Sequence, residues 1–184
     1  MLQILKPHPS TPGAPVERIE VGAERTGARR LSLRYRVVGD MAGLLIPAPA
    51  GPARADGLWR HTCFEAFLRV PGGDAYWELN LSPSMQWAAY AFAGYRLGGH
   101  DIEAVGPLRP DVSSEAGSLS LEVSVDLSGV AGLPADGAWE LGLSAVIEEA
   151  GGAISYWALA HPPGKPDFHH ADCFALELVA PERS

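Results

Sequence analysis

Leu119, Leu121, Val123, Val125 and Leu127 alternate with Ser120, Glu122, Ser124 and Asp126. Apolar groups at every second position put one face of an extended chain against a core and the other toward water; a helical period of 3.6 would scatter them. The same alternation returns in Leu31, Leu33, Tyr35 and Val37, and again in Trp77, Leu79 and Leu81 set against Tyr76, Glu78, Asn80 and Ser82. Further strands are expected at residues 2–4, 16–21, 58–68, 86–96, 139–148, 154–161 and 173–179, and no stretch carries a convincing amphipathic helix. With 21 glycines and 16 prolines punctuating these segments, the expectation is an all-β fold. Its form is an antiparallel two-sheet β-sandwich, jelly-roll or immunoglobulin-like, of about nine to ten strands.

No internal repeat, linker or charge block divides the chain, so residues 1–184 are read as one domain. Residues 1–20 form its lead-in: a short edge strand, then a stiff connection through Pro7, Pro9, Pro12 and Pro15, because proline cannot donate to a ladder. Pro47, Pro49 and Pro52 make residues 46–57 a loop that forms a rim.

The charge balance narrows the function. A net charge of −8 with scattered basic residues argues against a sequence-independent grip on nucleic acid, which depends on neutralising phosphates. No run reaches the roughly 18 apolar residues of a membrane span, and the start lacks the basic and apolar regions of a signal peptide. The expected compartment is therefore the cytoplasm, with neither nucleic acid nor membrane as partner. Cys63 and Cys173 are too few for a disulfide scaffold and are expected to be buried free thiols.

Candidate chemistry gathers around Leu58-Trp59-Arg60-His61-Thr62-Cys63-Phe64-Glu65-Ala66-Phe67-Leu68. Read as a strand, Phe64, Ala66 and Leu68 face the core, and Trp59, His61, Cys63, Glu65 and Phe67 occupy the other side. A carboxylate in such company must be paired or wet. Trp77 and Trp139 share faces with leucines and read as core. Trp59 and Trp157 have polar neighbours on their own faces and can serve as flat platforms for a sugar, with Glu65 accepting hydroxyl hydrogen bonds. His61 and Glu65 stand about 13 Å apart on a straight strand, so no direct dyad forms along it. Trp59 and Glu65, about 20 Å apart when extended, meet one hexose only if a bulge or bend intervenes.

Other chemistries remain open at this level. His61, His161, His169 and His170, with Asp172 and the two thiols, have the donor types of a metal site, though without the spacing of a zinc motif. A haem would need an axial pair such as Met85 with a histidine from 161 to 170. A glycosidase would need two carboxylates, which Glu65 and Glu78 on facing strands can supply. No P-loop, dinucleotide fingerprint or nucleophile elbow occurs.

Leu58 to Phe67 of that stretch, together with Tyr76-Trp77-Glu78-Leu79-Asn80-Leu81-Ser82-Pro83, Tyr156-Trp157-Ala158-Leu159-Ala160-His161-Pro162 and Pro166-Asp167-Phe168-His169-His170, resembles the DOMON-like superfamily, in particular a group of bacterial DOMON-like proteins. That superfamily includes the family 9 carbohydrate-binding modules and haem-binding cytochrome domains. In the family 9 modules two tryptophans sandwich a sugar, and a glutamate six positions after the first helps to bind it. The resemblance implies those roles for Trp59 and Glu65, with Trp157 as the second ring. Where the modules carry an acidic pair this chain has Arg60 and His61, which implies a basic site and an anionic sugar derivative.

The expectation is thus a non-catalytic module that holds a carbohydrate or anionic sugar between Trp59 and Trp157. Arg60, His61, Glu65, Asn80 and His161 would hydrogen-bond the ligand, and His169 and His170 would close the rim. No cofactor is predicted. The alternative is a metal- or haem-binding protein or enzyme built on the His61, His161, His169 and His170 cluster.

Overall fold

A computed structural model describes residues 2–11 and 13–181, so Pro12 of the expected lead-in lies outside the described residues. Among them are twelve strands and three short 3-10 turns, with no α-helix. The strands are β1 (Leu2–Pro7), β2 (Val16–Gly27), β3 (Arg30–Gly39), β4 (Cys63–Arg69), β5 (Tyr76–Leu81) and β6 (Trp87–Phe92). They continue as β7 (His100–Asp101), β8 (Asp111–Glu115), β9 (Ser118–Asp126), β10 (Trp139–Glu148), β11 (Ile154–Ala158) and β12 (Leu176–Leu178). Every ladder between these strands is antiparallel.

The hydrogen-bonded order is β7-β6-β5-β4-β10-β11-β1-β2-β3-β9-β8. β4 occupies one edge of β10, so β11 and β12 share the other, pairing with Ser144–Glu148 and Trp139–Leu141 respectively. The expected two sheets are therefore one continuous path curled on itself. The join is β1: Leu2–Leu5 pair with β2, and Lys6 and Pro7 continue onto β11. The segment read as an edge strand instead has a neighbour on each side. The count exceeds nine to ten because β7 has only two residues and β8, Asp111–Glu115, is polar apart from Val112, so neither offers an alternating signal.

The two arms of the curl press their apolar faces together. Ile19, Val21, Leu31, Leu33, Val37 and Leu121 from one arm share a core with Phe64, Ala66, Leu68, Leu79, Leu81 and Leu143 from the other. Trp77, Trp87 and Trp139 lie in this core as well. Tyr35 ties the arms directly. Its ring stacks on Phe64 at 4.9 Å, and its buried hydroxyl donates to the Glu65 main-chain carbonyl at 2.7 Å. Deleting a buried donor costs about 1–2 kcal/mol, so Tyr35→Phe should lower the unfolding free energy by that amount, read as a lower urea midpoint at unchanged slope. A loss below about 0.5 kcal/mol would show that the arms hold together without this bond.

Candidate binding cleft

The outer face of the arm carrying β4, β5, β6, β10 and β11 is the side on which the site forms. In a two-residue period the side chains alternating with the core residues are Glu65 and Phe67, Glu78 and Asn80, Tyr90 and Phe92, Ser144 and Val146, and Tyr156. This face is partly roofed rather than open to water, since Cys63 through Leu68 are all buried. The roof is the segment after β11, which lays Phe168 beside Tyr156 at 6.0 Å and His169 beside Phe67 at 5.1 Å. Gly142 of β10 permits this close approach: a Cβ there would meet the Cys173 carbonyl at 3.0 Å.

Beneath the roof lies a cavity of about 710 Å³. Glu65 and Glu78 line it together with the rings of Trp59, Tyr90, Phe92, Tyr156 and Phe168. Arg96, Lys165, Asp167 and His169 complete its polar lining. Apolar walls with a few converging polar groups are the ordinary composition of a small-molecule site.

The two carboxyl groups are deeply buried, Glu65 at 3% exposure and Glu78 at 5%. In the ladder Glu65 stands between Ser144 of β10 and Asn80 of β5. Asn80 donates through Nδ2 to Glu78 Oε1 at 2.9 Å, while Asn80 Oδ1 and Ser144 Oγ are buried without partners. Among the described residues no hydrogen-bond donor reaches the Glu65 carboxyl. Burial pushes that carboxyl well above the usual range, and the neighbouring Glu78 charge adds to it. Burial also raises Glu78, to about 7, against the opposing hydrogen bond from Asn80 and the charge of Arg96.

His169 sits over the pair with Nε2 3.9 Å from Glu78 Oε2. Burial, together with the Arg96 charge, lowers its pKa to about 4, so the ring is neutral near pH 7. The Tyr76 hydroxyl accepts from the Arg96 main-chain N–H at 3.1 Å and lies 2.8 Å from His169 Nδ1. The arrangement that satisfies both groups has the hydroxyl donating to Nδ1, with the ring proton on Nε2 toward Glu78.

Asp167 clamps the roof to the turn after β6. Its carboxylate accepts from the Tyr95 hydroxyl at 2.6 Å, from Arg96 at 2.9 Å and from the His169 main-chain N–H at 3.2 Å. Burial pushes this carboxyl up, but the bonds from Tyr95 and Arg96 outweigh it and hold the group below its usual range.

Of the residues singled out in the sequence, the structure brings Trp59, Glu65 and His169 to the cavity and sets Asn80 beside its floor. Trp59 is not on the strand. It belongs to a 3-10 turn, Leu58–Arg60, and β4 begins only at Cys63. That turn supplies the bend required for Trp59, 51% exposed, and Glu65 to border one cavity. Trp157 does not reach it: only 4% exposed, it packs in the central core on the opposite face and donates to Ser155 Oγ at 3.0 Å. Tyr156, one residue earlier and thus on the other side, is the ring that lines the cleft.

The basic residues are also elsewhere. Arg60 is exposed, its guanidinium 5.3 Å from the Trp59 ring, and His61 pairs with Glu148 at 2.7 Å. Neither lines the cavity, whose basic residues are Arg96 and Lys165 instead. His161 donates from Nε2 to the Lys6 carbonyl at 2.8 Å, and His170 caps the 3-10 turn Ala171–Cys173 by accepting from the Asp172 N–H. The expected cluster of His61, His161, His169 and His170 therefore does not form. No group of three His, Cys, Asp or Glu side chains arranged to hold a metal ion occurs among the described residues. Met85 lies in the turn after β5 and does not line the cavity. Cys63 and Cys173 are buried and unpaired.

Tyr90 and Phe92 were legible only as members of a strand; their role follows from the pairing of Glu78 with Tyr90 and of Tyr76 with Phe92. Arg96, Lys165, Asp167 and Phe168 come from loops and carry no periodic signal.

No protein-family profile and no curated sequence matches the chain. Solved structures do. One is a Bacteroides uniformis protein provisionally assigned to carbohydrate binding, with a TM-score of 0.67 at 14% identity, covering 98% of this chain and 86% of that one. Another is a family 9 carbohydrate-binding module from Caldicellulosiruptor kristjanssonii in complex with glucose, with a TM-score of 0.51 at 10% identity over 91% of this chain and 78% of the module. At these identities the likeness is one of fold: the chain shares the all-β architecture of those two proteins.

Proposed function

We propose that the cleft beneath the roof binds a small polar ligand of the carbohydrate class and that the chain is a binding module rather than a catalyst. The observation that carries this reading is Glu65, a carboxyl group almost fully buried yet lining a cavity, with no protein donor to satisfy it. A buried polar group without a partner costs several kcal/mol in its own fold, roughly 2–7 kcal/mol for a neutral one. Ligand hydroxyl groups would repair that loss, while the rings of Trp59, Tyr90, Phe92 and Tyr156 offer flat surfaces to the C–H faces of a sugar. The two fold neighbours, one provisionally carbohydrate-binding and one in complex with glucose, support the same ligand class.

Trp59 gives the cleanest test, because it lies at an exposed rim and its removal leaves the core intact. In calorimetric titrations with a panel of monosaccharides and disaccharides, Trp59→Ala should weaken the best ligand about tenfold. His61→Ala, outside the cavity, should leave the affinity unchanged. A panel in which no sugar binds, or in which the two variants behave alike, would reject the proposal.

A further inference from the structure

The two glutamates on the floor of the cleft receive little hydrogen bonding from the protein. The Glu65 carboxyl group and Glu78 Oε2 accept from no protein donor; behind them Asn80 Oδ1 and Ser144 Oγ, on the two residues paired with Glu65 in the ladder, are buried without partners. The Asn80 amide is already spent on Glu78 Oε1. The nearest ring nitrogen that could donate, His169 Nε2, stands 3.9 Å from Glu78, beyond hydrogen-bond reach.

None of the basic residues lining the cavity hydrogen-bonds to either glutamate. Arg96 is tied to Asp167 at 2.9 Å and acts on the glutamates only through space, Lys165 is exposed, and burial keeps His169 neutral near pH 7. Around these acceptors stand Tyr90, Phe92, Trp59 and Tyr156. Aromatic faces attract a cation within about 6 Å of the ring centroid, and more strongly where water is excluded. An ammonium group has three donors and no acceptor, and its positive charge favours the ionised form of the two glutamates that burial disfavours. A hydroxyl group satisfies only the hydrogen bonding.

We therefore propose that the ligand bears a protonated amine whose ammonium group is held between Glu65 and Glu78 within the aromatic walls. Resting on the carbohydrate reading above, this makes the ligand an amino sugar. The buried glutamate pair is the selective part of the cleft, and the aromatic walls serve the ring.

Calorimetry of the full chain at pH 7 with glucosamine, glucose, N-acetylglucosamine and cyclohexylamine separates the two proposals. Glucosamine should bind at least about tenfold more tightly than glucose or N-acetylglucosamine, and Glu65→Gln should reduce that preference to below about threefold. If Glu65→Gln does not fold, Glu78→Gln reads the same interaction. Glucose or N-acetylglucosamine binding as tightly as glucosamine would overturn the ammonium site and leave the carbohydrate reading in place. Binding of cyclohexylamine alone would keep the ammonium site and overturn the carbohydrate reading. Silence from all four probes up to about 10 mM would overturn both.

Discussion

Glu78→Gln is expected to make the protein more stable, by about 3 kcal/mol at pH 8 and by almost nothing at pH 4. The carboxyl of Glu78 rises from an ordinary 4.5 to about 7 in the fold, chiefly because burial disfavours its charge. In the unfolded chain it ionises near pH 4.5. Between that pH and about 7 the unfolded state has lost a proton that the native state still holds, so stability falls as pH rises through this window and is level above it. Below pH 4.5 both states are protonated and the penalty is absent. A glutamine is neutral throughout and keeps an oxygen for the Asn80 amide, so the variant escapes the loss.

The groups facing Glu78 are Glu65 and Asn80 on the same sheet face, with Tyr90, Arg96 and His169 around them. His169 has a depressed pKa and a slope of opposite sign, its contribution falling as the pH drops from 6.5 to about 4, but wild type and variant share it and it cancels in their difference. Urea unfolding of both proteins at pH 4, 6 and 8 measures the effect. Equal stabilities at pH 8 would mean that the carboxyl is not desolvated as its burial indicates. A residue that weakens its own fold at neutral pH while lining a cavity is the expected signature of a functional group, since stability is commonly lost where a site is built.

The second large effect is on the roof. Asp167→Ala is expected to weaken ligand binding about 30- to 100-fold and to cost about 2 kcal/mol of stability. Its carboxylate receives three hydrogen bonds at once, from Tyr95, Arg96 and the His169 N–H, and these join the turn after β6 to the segment that covers the cavity. Without it, Arg96 loses its partner next to two carboxyl groups, and Phe168 and His169 lose the anchor that holds them over the cleft. Amide hydrogen exchange should accelerate across residues 161–174, with β4 and β10 keeping their protection. Unchanged exchange in the roof would show that the ring contacts of His169 and Phe168 hold it by themselves.

The sequence was informative about β4 because Phe64, Ala66 and Leu68 must share a side in any extended chain, and the structure places all three in the core. It misled about the residues before β4. The same period extends the strand through Trp59 to Thr62, but Gly57 takes a left-handed conformation at φ 71° and the chain turns through Leu58–Arg60, which breaks the register. Trp157 shows the reverse case. Its alternation was legible, but the polar neighbours Ser155 and His161 suggested exposure, when Ser155 is a buried acceptor for the indole and His161 is bonded to the Lys6 carbonyl.

From its sequence alone the chain determined that it is all-β, where its principal strands lie, which side of strands such as β3, β4, β5 and β9 faces the core, and that Glu65 needs a partner or water. These follow from local rules, because a two-residue period fixes sidedness without reference to anything distant. Only the tertiary structure decided what covers the second side. The pairing of Glu65 with Asn80, the seating of β10 between β4 and β11, and the return of residues 161–174 across that face join positions far apart in the chain. No local pattern encodes such contacts. That closure turns one buried carboxylate, an expected oddity of a strand, into the floor of an aromatic-walled cleft.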